Sequence, residues 1–282
     1  MQLGSVTLTT ISGGRFRLDA GSMFGVVPKL LWSKVCPPDE NNTILYGTNC
    51  VLVHDGRRNI LIDTGYGSKL SSRQREVFAG EAGDPLLASL AAHGLSAEQI
   101  DTVILSHLHF DHAGGSTRYD ENGTLVSTFP RATYIAQKLE WEIATAELPE
   151  LRGAYPLENL LPLREAGQLQ LVDGDVELLP GMRAIVTGGH TAGQMAVVIE
   201  SEGDTALFLA DVCPTWRHLR TLWCMAYDVD LLQTRRIKPK LLGQIADNNW
   251  LALCDHDADH AAARIARDDR QDFVVTEAIV AL

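Results

Sequence analysis

His107-Leu108-His109-Phe110-Asp111-His112 follows the apolar run Asp101-Thr102-Val103-Ile104-Leu105-Ser106 and leads at once into Ala113-Gly114-Gly115. Three imidazoles and a carboxylate at the end of a buried-strand pattern predict a metal site rather than a polar loop. Imidazole nitrogen and carboxylate oxygen suit a borderline divalent ion such as zinc, with manganese, iron and cobalt as competitors. In extended backbone His107 and His109 project to one side, because side chains alternate with period two, so they can grip one ion together. The break into a Gly-Gly turn lets Asp111 and His112 swing toward a second position. One hexapeptide can serve two ions, each still short of ligands, and further His and Asp are therefore expected at strand ends downstream.

Three such places follow. Met182 to Val186 is apolar enough for a strand and runs into Gly188-Gly189-His190-Thr191-Ala192-Gly193, a histidine in a glycine-rich turn. Thr205 to Ala210 is another buried-strand run and ends in Asp211, whose two oxygens could bridge two cations. Trp250 to Cys254 ends in Asp255-His256-Asp257, so a fourth strand delivers a histidine at its carboxyl end.

Leu61-Ile62-Asp63-Thr64-Gly65, the hexapeptide, Gly189-His190-Thr191-Ala192-Gly193, Asp211 and His256 together resemble the metallo-β-lactamase fold superfamily of binuclear metallohydrolases. The resemblance spans nearly the whole chain and implies a four-layer αββα sandwich of the α/β class. It implies two divalent ions, zinc foremost: a first on His107, His109 and His190, and a second on Asp111, His112 and His256, with Asp211 bridging. It also implies that Asp63 sits below the ligands and orients a metal-bound imidazole. The segment Gly21 to Trp32, and Asp211-Val212-Cys213-Pro214-Thr215 followed by His218, Trp223 and Ala226-Tyr227-Asp228, resemble the lactonase-like branch that includes the YtnP-type quorum-quenching lactonases and is akin to the methyl parathion hydrolases. Better-known acyl-homoserine lactonases carry a tyrosine three residues after the bridging aspartate. Here that position is Pro214, which leaves His218 or Tyr227 for the role.

The rest of the chain is compatible. At 282 residues and 45% hydrophobic, it can bury a large core as one hydrolase domain spanning residues 1–282. The longest polar, glycine-bearing stretch, Tyr119 to Ser127, reads as a loop. Strand runs (Cys50 to Val53, Asn59 to Ile62, Val103 to Leu105, Ala132 to Ala136) alternate with helical ones (Asp84 to Ala92, Ser96 to Ile100, Gln137 to Ala146), as layered α/β architecture requires. A net charge of −12, with no basic run longer than Arg235-Arg236, argues against nucleic acid as a partner. Met1 to Thr10 lacks a signal-peptide pattern and no apolar run is of membrane-spanning length, so a cytoplasmic protein without a membrane partner is expected. Five cysteines without C-x-x-C spacing fit reduced thiols. Relatives are often dimers, so a homodimer is a further expectation.

No G-x-S-x-G elbow, Cys/His signature or phosphate loop is present, so water is left as the nucleophile. Two cations roughly 3.5–4 Å apart would share a bridging water and bring its pKa to about 7. The expected reaction is hydroxide attack on a lactone or ester carbonyl, with Asp111 shuttling the proton and His218 or Tyr227 assisting. Met23, Phe24, Trp32, Trp216 and Trp223, with Leu30 and Leu31, are candidates for the apolar wall that takes an acyl group. N-acyl homoserine lactones are the expected substrates. A phosphotriester or aryl ester is the alternative, with a glyoxalase-II-like thioesterase behind it because no basic patch is visible. A di-iron redox protein on this fold typically carries glutamate where this chain has His109.

Overall fold

The apolar runs are strands in the computed structural model, which describes residues 1–282. Two seven-stranded sheets form. The first runs, in spatial order, Gln2–Leu3, Val6–Asp19, Thr43–His54, Asn59–Ile62, Thr102–Ile104, Thr133–Gln137 and Leu169–Val172. The second keeps chain order: Glu177–Leu179, Met182–Val186, Met195–Ser201, Asp204–Phe208, Leu251–Leu253, Ala262–Asp268 and Asp272–Ile279.

The period-two alternation sorts each strand's residues into layers. Val51, Val53, Ile60, Ile62, Ile104 and Ile135 of the first sheet face Ala184, Met195, Val197, Ile199, Phe208 and Leu253 of the second. The opposite face of the first sheet, with Leu52, Leu61, Val103 and Tyr134, packs on Leu86 and Leu90 of helix Pro85–Ala92 and Trp141 of helix Lys138–Ala144. Val198, Leu207, Ala252 and Ile265 on the outer face of the second sheet meet Leu241, Leu242 and Ile245 of helix Leu231–Asn248. Helix, sheet, sheet, helix is the αββα sandwich expected. A smaller apolar cluster, with Phe16, Met23, Phe24, Trp32, Tyr46 and Trp223, closes one edge.

Strand direction positions the site. Asn59–Ile62 and Thr102–Ile104 pair in parallel, as do Asp204–Phe208 and Leu251–Leu253. Their carboxyl ends therefore lie on one edge of the sandwich, where Asp63, His107, Asp211 and His256 follow. Met182–Val186 ends on the same edge, because Val186 pairs with Met195 and Val197 with Phe208. The turn after the hexapeptide is seated backbone on backbone: a Cβ at Gly115 would run into the Thr64 carbonyl oxygen, and one at Gly114 into the Tyr66 carbonyl oxygen. Only glycine permits that approach.

Two local readings change. Tyr119 to Ser127 is not a plain loop, because Thr117–Tyr119 and Leu125–Ser127 pair as a hairpin whose turn is held by Asp120. The helix expected over Gln137 to Ala146 is shorter, Lys138–Ala144, and Gln137 ends the preceding strand. No helix is long and apolar enough to cross a membrane.

Candidate metal centre

His107, His109 and His190 converge at the strand edge. His109 Nδ1 lies 3.1 Å from His107 Nε2 and 3.0 Å from His190 Nε2. Burial, reinforced by the neighbouring imidazoles, holds His107 and His109 well below the ordinary histidine range, so their lone pairs are available. Three nitrogens this close, two of them on neutral rings, can serve together as the donor set of an ion.

A second group lies alongside. His112 Nε2 and His256 Nε2 are 3.1 Å apart. Asp211 joins the groups: its Oδ2 is 3.0 Å from His190 Nε2, while its Oδ1 is 3.2 Å from His256 Nε2 and 3.4 Å from His112 Nε2. Although burial pulls Asp211 upward, the imidazoles of His190, His256 and His112 hold its carboxyl well below the usual range. Against their own burial, His190 is pushed up to about 10 by Asp211 and Asp228, and His256 to about 9 by Asp255 and Asp211. Asp111 is nearly buried, with Oδ2 3.7 Å from His256 Nε2. Asp255 also approaches this group; burial, with Asp211 beside it, drives its carboxyl up.

The far nitrogens of the rings are fixed, as metal-ligating imidazoles require. His112 Nδ1 donates to Asp63 Oδ2 at 2.8 Å, His256 Nδ1 to the Gly47 carbonyl at 2.8 Å, and His190 Nδ1 to Asp228 Oδ1 at 3.1 Å. Asp63 also accepts the Ser106 amide and hydroxyl, each at 2.7 Å, and the Ser106 oxygen is 3.2 Å from His107 Nδ1. It does so from a left-handed backbone, φ 60°. Ala210, just ahead of Asp211, is left-handed too, φ 46°. Each such residue costs on the order of 1–3 kcal/mol and persists only because its surroundings impose it. Asp63→Asn, which sets an amide against three donors, is expected to let a chelator strip metal at about 10–100-fold lower concentration; competition with a chromophoric chelator measures this.

Glu140 binds together the two loops that carry His107, His109 and His190. Fully buried, it accepts the Leu108 amide at 3.1 Å and the Tyr155 hydroxyl at 3.0 Å on Oε1, and the Thr191 hydroxyl at 2.7 Å and the Gly193 amide at 3.2 Å on Oε2. Neither this residue nor the Asp228 pairing carries a local sequence signature.

A cavity of about 230 Å³ opens onto both groups, with His109, Asp111, His190, Asp211 and His256 at its base and Leu18, Met23, Phe78, Phe110, Met225 and Tyr227 among its walls. Of the apolar candidates only Met23 lines it. Trp32 and Phe24 stack on each other, centroids 5.3 Å apart, within the edge cluster, and Trp223 packs edge-on to Phe24. Trp216 packs in the outer core of the second sheet, its indole N–H on the His260 carbonyl. Leu30 and Leu31 are exposed. His218 lies behind the wall, fully buried, stacked on Phe24 at 4.8 Å, with Nε2 donating to the Met23 carbonyl at 2.9 Å and Nδ1 2.8 Å from the Thr215 hydroxyl. Burial and Lys238 hold it at about 3, so it is a neutral strut with no nitrogen left for substrate. Tyr227 is half exposed at the cavity.

The donor groups fit divalent ions: nitrogens and carboxylate oxygens converge in a buried pocket, and both Asp255 oxygens and Asp211 Oδ1 lack hydrogen-bond partners. An αββα sandwich with such donors along one strand edge defines a class of metalloprotein. The chain belongs to the metallo-beta-lactamase superfamily, whose family model matches residues 43–268. It is similar to a probable metal-dependent hydrolase from Staphylococcus aureus, at TM-score 0.89 and 32% identity over 99% of this chain and 100% of that one. The fold is also that of AidC, a dizinc quorum-quenching lactonase in complex with a product, at TM-score 0.81 and 23% identity over 98% and 96% of the two chains. An N-acyl homoserine lactonase from Bacillus cereus is 30% identical over 164 residues, 54% of this chain and 58% of the relative. The match thus spans little more than half the length of that curated relative.

Proposed function

We propose that residues 1–282 form one hydrolase domain that holds two divalent ions, zinc foremost, and opens the ring ester of N-acyl homoserine lactones. The single observation that carries this reading is the cavity: both donor groups form its base, its walls are largely apolar, and no lysine or arginine lines it. Names among the relatives, lactonases and a metal-dependent hydrolase, support the same class.

Two divalent cations would supply Lewis-acid polarisation of the ester carbonyl and an activated water near neutral pH. His107, His109 and His190 would hold the first and His112 and His256 the second, with Asp211 shared and Asp111 beside the second. The protein's remaining work is positioning. Asp63, Asp228 and the Gly47 carbonyl keep the far ring nitrogens protonated, so the near ones present lone pairs. Asp111, whose carboxylate reaches the cavity, is placed to receive the proton released by the attacking water and return it to the leaving oxygen. Tyr227 is the hydroxyl available to the substrate carbonyl, a role the buried His218 cannot fill. Met23, Phe78, Phe110 and Met225 exclude water and contact the acyl chain.

A phosphotriester is the second reading, since a neutral triester also suits a cavity without cationic groups. Chain length separates the two. Each methylene buried contributes roughly 0.8 kcal/mol, about fourfold in kcat/KM, so catalytic efficiency is expected to climb along a homoserine lactone series. Medium- or long-chain lactones should exceed paraoxon-like triesters at least tenfold, and Phe110→Ala should flatten the climb while metal content is unchanged. Rates indifferent to chain length, or triesters ahead by that margin, would overturn the lactonase assignment and leave the metal centre standing.

A further inference from the structure

The net charge of the chain is −12, yet a second cavity, of about 320 Å³, has two arginines and no aspartate or glutamate in its lining. It is larger than the catalytic cavity and shares no residue with it. Trp216, Leu219, Trp223 and Phe273 form walls that are themselves buried, so the core fixes its shape. Arg217, Arg220 and Gln271 supply its polar groups. It lies where the outer core of the second sheet meets the edge cluster, behind the catalytic wall. Trp223 packs edge-on to Phe24 at 5.5 Å, and Phe24 follows Met23 of the catalytic cavity in the chain.

The polar groups are set for an anion. The Arg220 guanidinium lies over the Trp223 ring, 5.2 Å from its centroid, and donates to Gln271 Oε1 at 3.3 Å. These contacts hold it in place and leave its charge unneutralised. Arg217 reaches Asp259 only at 3.8 Å, between side chains 39% and 68% exposed, a pairing that contributes little. The carboxylate of Asp272, between Gln271 and Phe273 in the chain, accepts the Thr221 amide at 2.8 Å instead. A guanidinium fork matches the two oxygens of a carboxylate, and indole surface takes hydrocarbon. We propose that this cavity binds an amphiphilic carboxylate, with its head on Arg217 and Arg220 and its apolar body against Trp216 and Trp223. Two sources supply that chemistry: a free fatty acid, and the hydroxy acid formed when water opens an acylated lactone ring. The first is independent of the lactonase reading above, and the second rests on it.

Tryptophan fluorescence tests the site, because Trp216 and Trp223 wall this cavity and no tryptophan lines the catalytic one. Metal-loaded protein is titrated with decanoate, N-decanoyl homoserine, decanol and inorganic phosphate. Decanoate should change the emission saturably, with decanol, which lacks the charge, and phosphate, which lacks the chain, each bound at least about tenfold more weakly. Arg217→Gln and Arg220→Gln should each weaken decanoate by at least about fivefold. Aryl ester hydrolysis by these variants, carried out in the other cavity, should stay near the wild-type rate and so report a folded chain. Phe110→Ala, a change in the catalytic cavity, should leave the decanoate titration where it was. N-decanoyl homoserine bound as tightly as decanoate would assign the hydrolysis product as a ligand, and decanoate alone a fatty acid; both outcomes support the site. No saturable change up to millimolar decanoate, decanol or phosphate bound as tightly, or a titration that Phe110→Ala moves and the arginine variants do not, would overturn it. Each of these outcomes leaves the lactonase reading standing, since that is decided by the chain-length series for turnover.

Discussion

Asp211→Asn is expected to lower bound metal from the proposed two ions per chain to at most one, and to cut hydrolysis of any ester substrate by at least about a thousandfold, on the order of 4 kcal/mol in the barrier. The size follows from one side chain serving both donor groups, with Oδ2 3.0 Å from His190 Nε2 and Oδ1 3.2 Å from His256 Nε2. An amide keeps the volume but takes away the shared negative charge and turns N–H groups toward one set of nitrogens. Elemental analysis after reconstitution, run beside kcat/KM, checks it. Two ions retained with activity near wild type would show that the groups are bridged by something other than Asp211.

Glu140→Ala is expected to destabilise the fold by about 3–5 kcal/mol, because removing a buried charged acceptor leaves its partners unpaired. Leu108, Tyr155, Thr191 and Gly193 all donate to this carboxylate. For a chain of this size that corresponds to a Tm lowered by roughly 6–20 °C. The backbone amides belong to the loops that present His107, His109 and His190, so affinity for the first ion should fall further than affinity for the second. Glu140→Gln should lie between. Thermal unfolding with and without metal measures both effects, and a Tm within about 3 °C of wild type would mean that the four donors find other partners.

The fold and most of the histidines and aspartates that gather at the strand edge were legible because their patterns are local. A histidine or aspartate at the end of an apolar run is one short pattern, and the parallel strands carry those ends to one edge. The cavity wall was not. Trp32, Trp216 and Trp223 read as surfaces for an acyl chain, but large aromatics go where most area is buried, and here that is the core behind the wall. Phe110, inside the decisive hexapeptide, lines the cavity without any pattern of its own to mark it. His218 carried the lactonase-like context, yet its neighbours Met23 and Phe24 stand nearly two hundred residues away, and only the folded chain shows both nitrogens in use. Glu140 and the pairing of Asp228 with His190 were hidden in the same way, since the partners lie 15 to 53 and 38 residues off.

Four separate apolar clusters hold the sandwich together, and each donor group joins distant stretches, His112 and His256 of one being 144 residues apart. The open chain offers only the local donors of the hexapeptide: the complete donor groups exist once the sheets have met, through apolar packing and through hydrogen bonds such as the Met195 amide on the Ser106 carbonyl at 2.9 Å. Affinity for neighbouring divalent ions generally follows one chemical order, with selectivity set by geometry, ligand type and metal supply, so the ion bound is expected to depend on the surroundings as well as on the sequence. Preparations of one polypeptide grown in media that differ only in trace metals are expected to differ in the ion they carry.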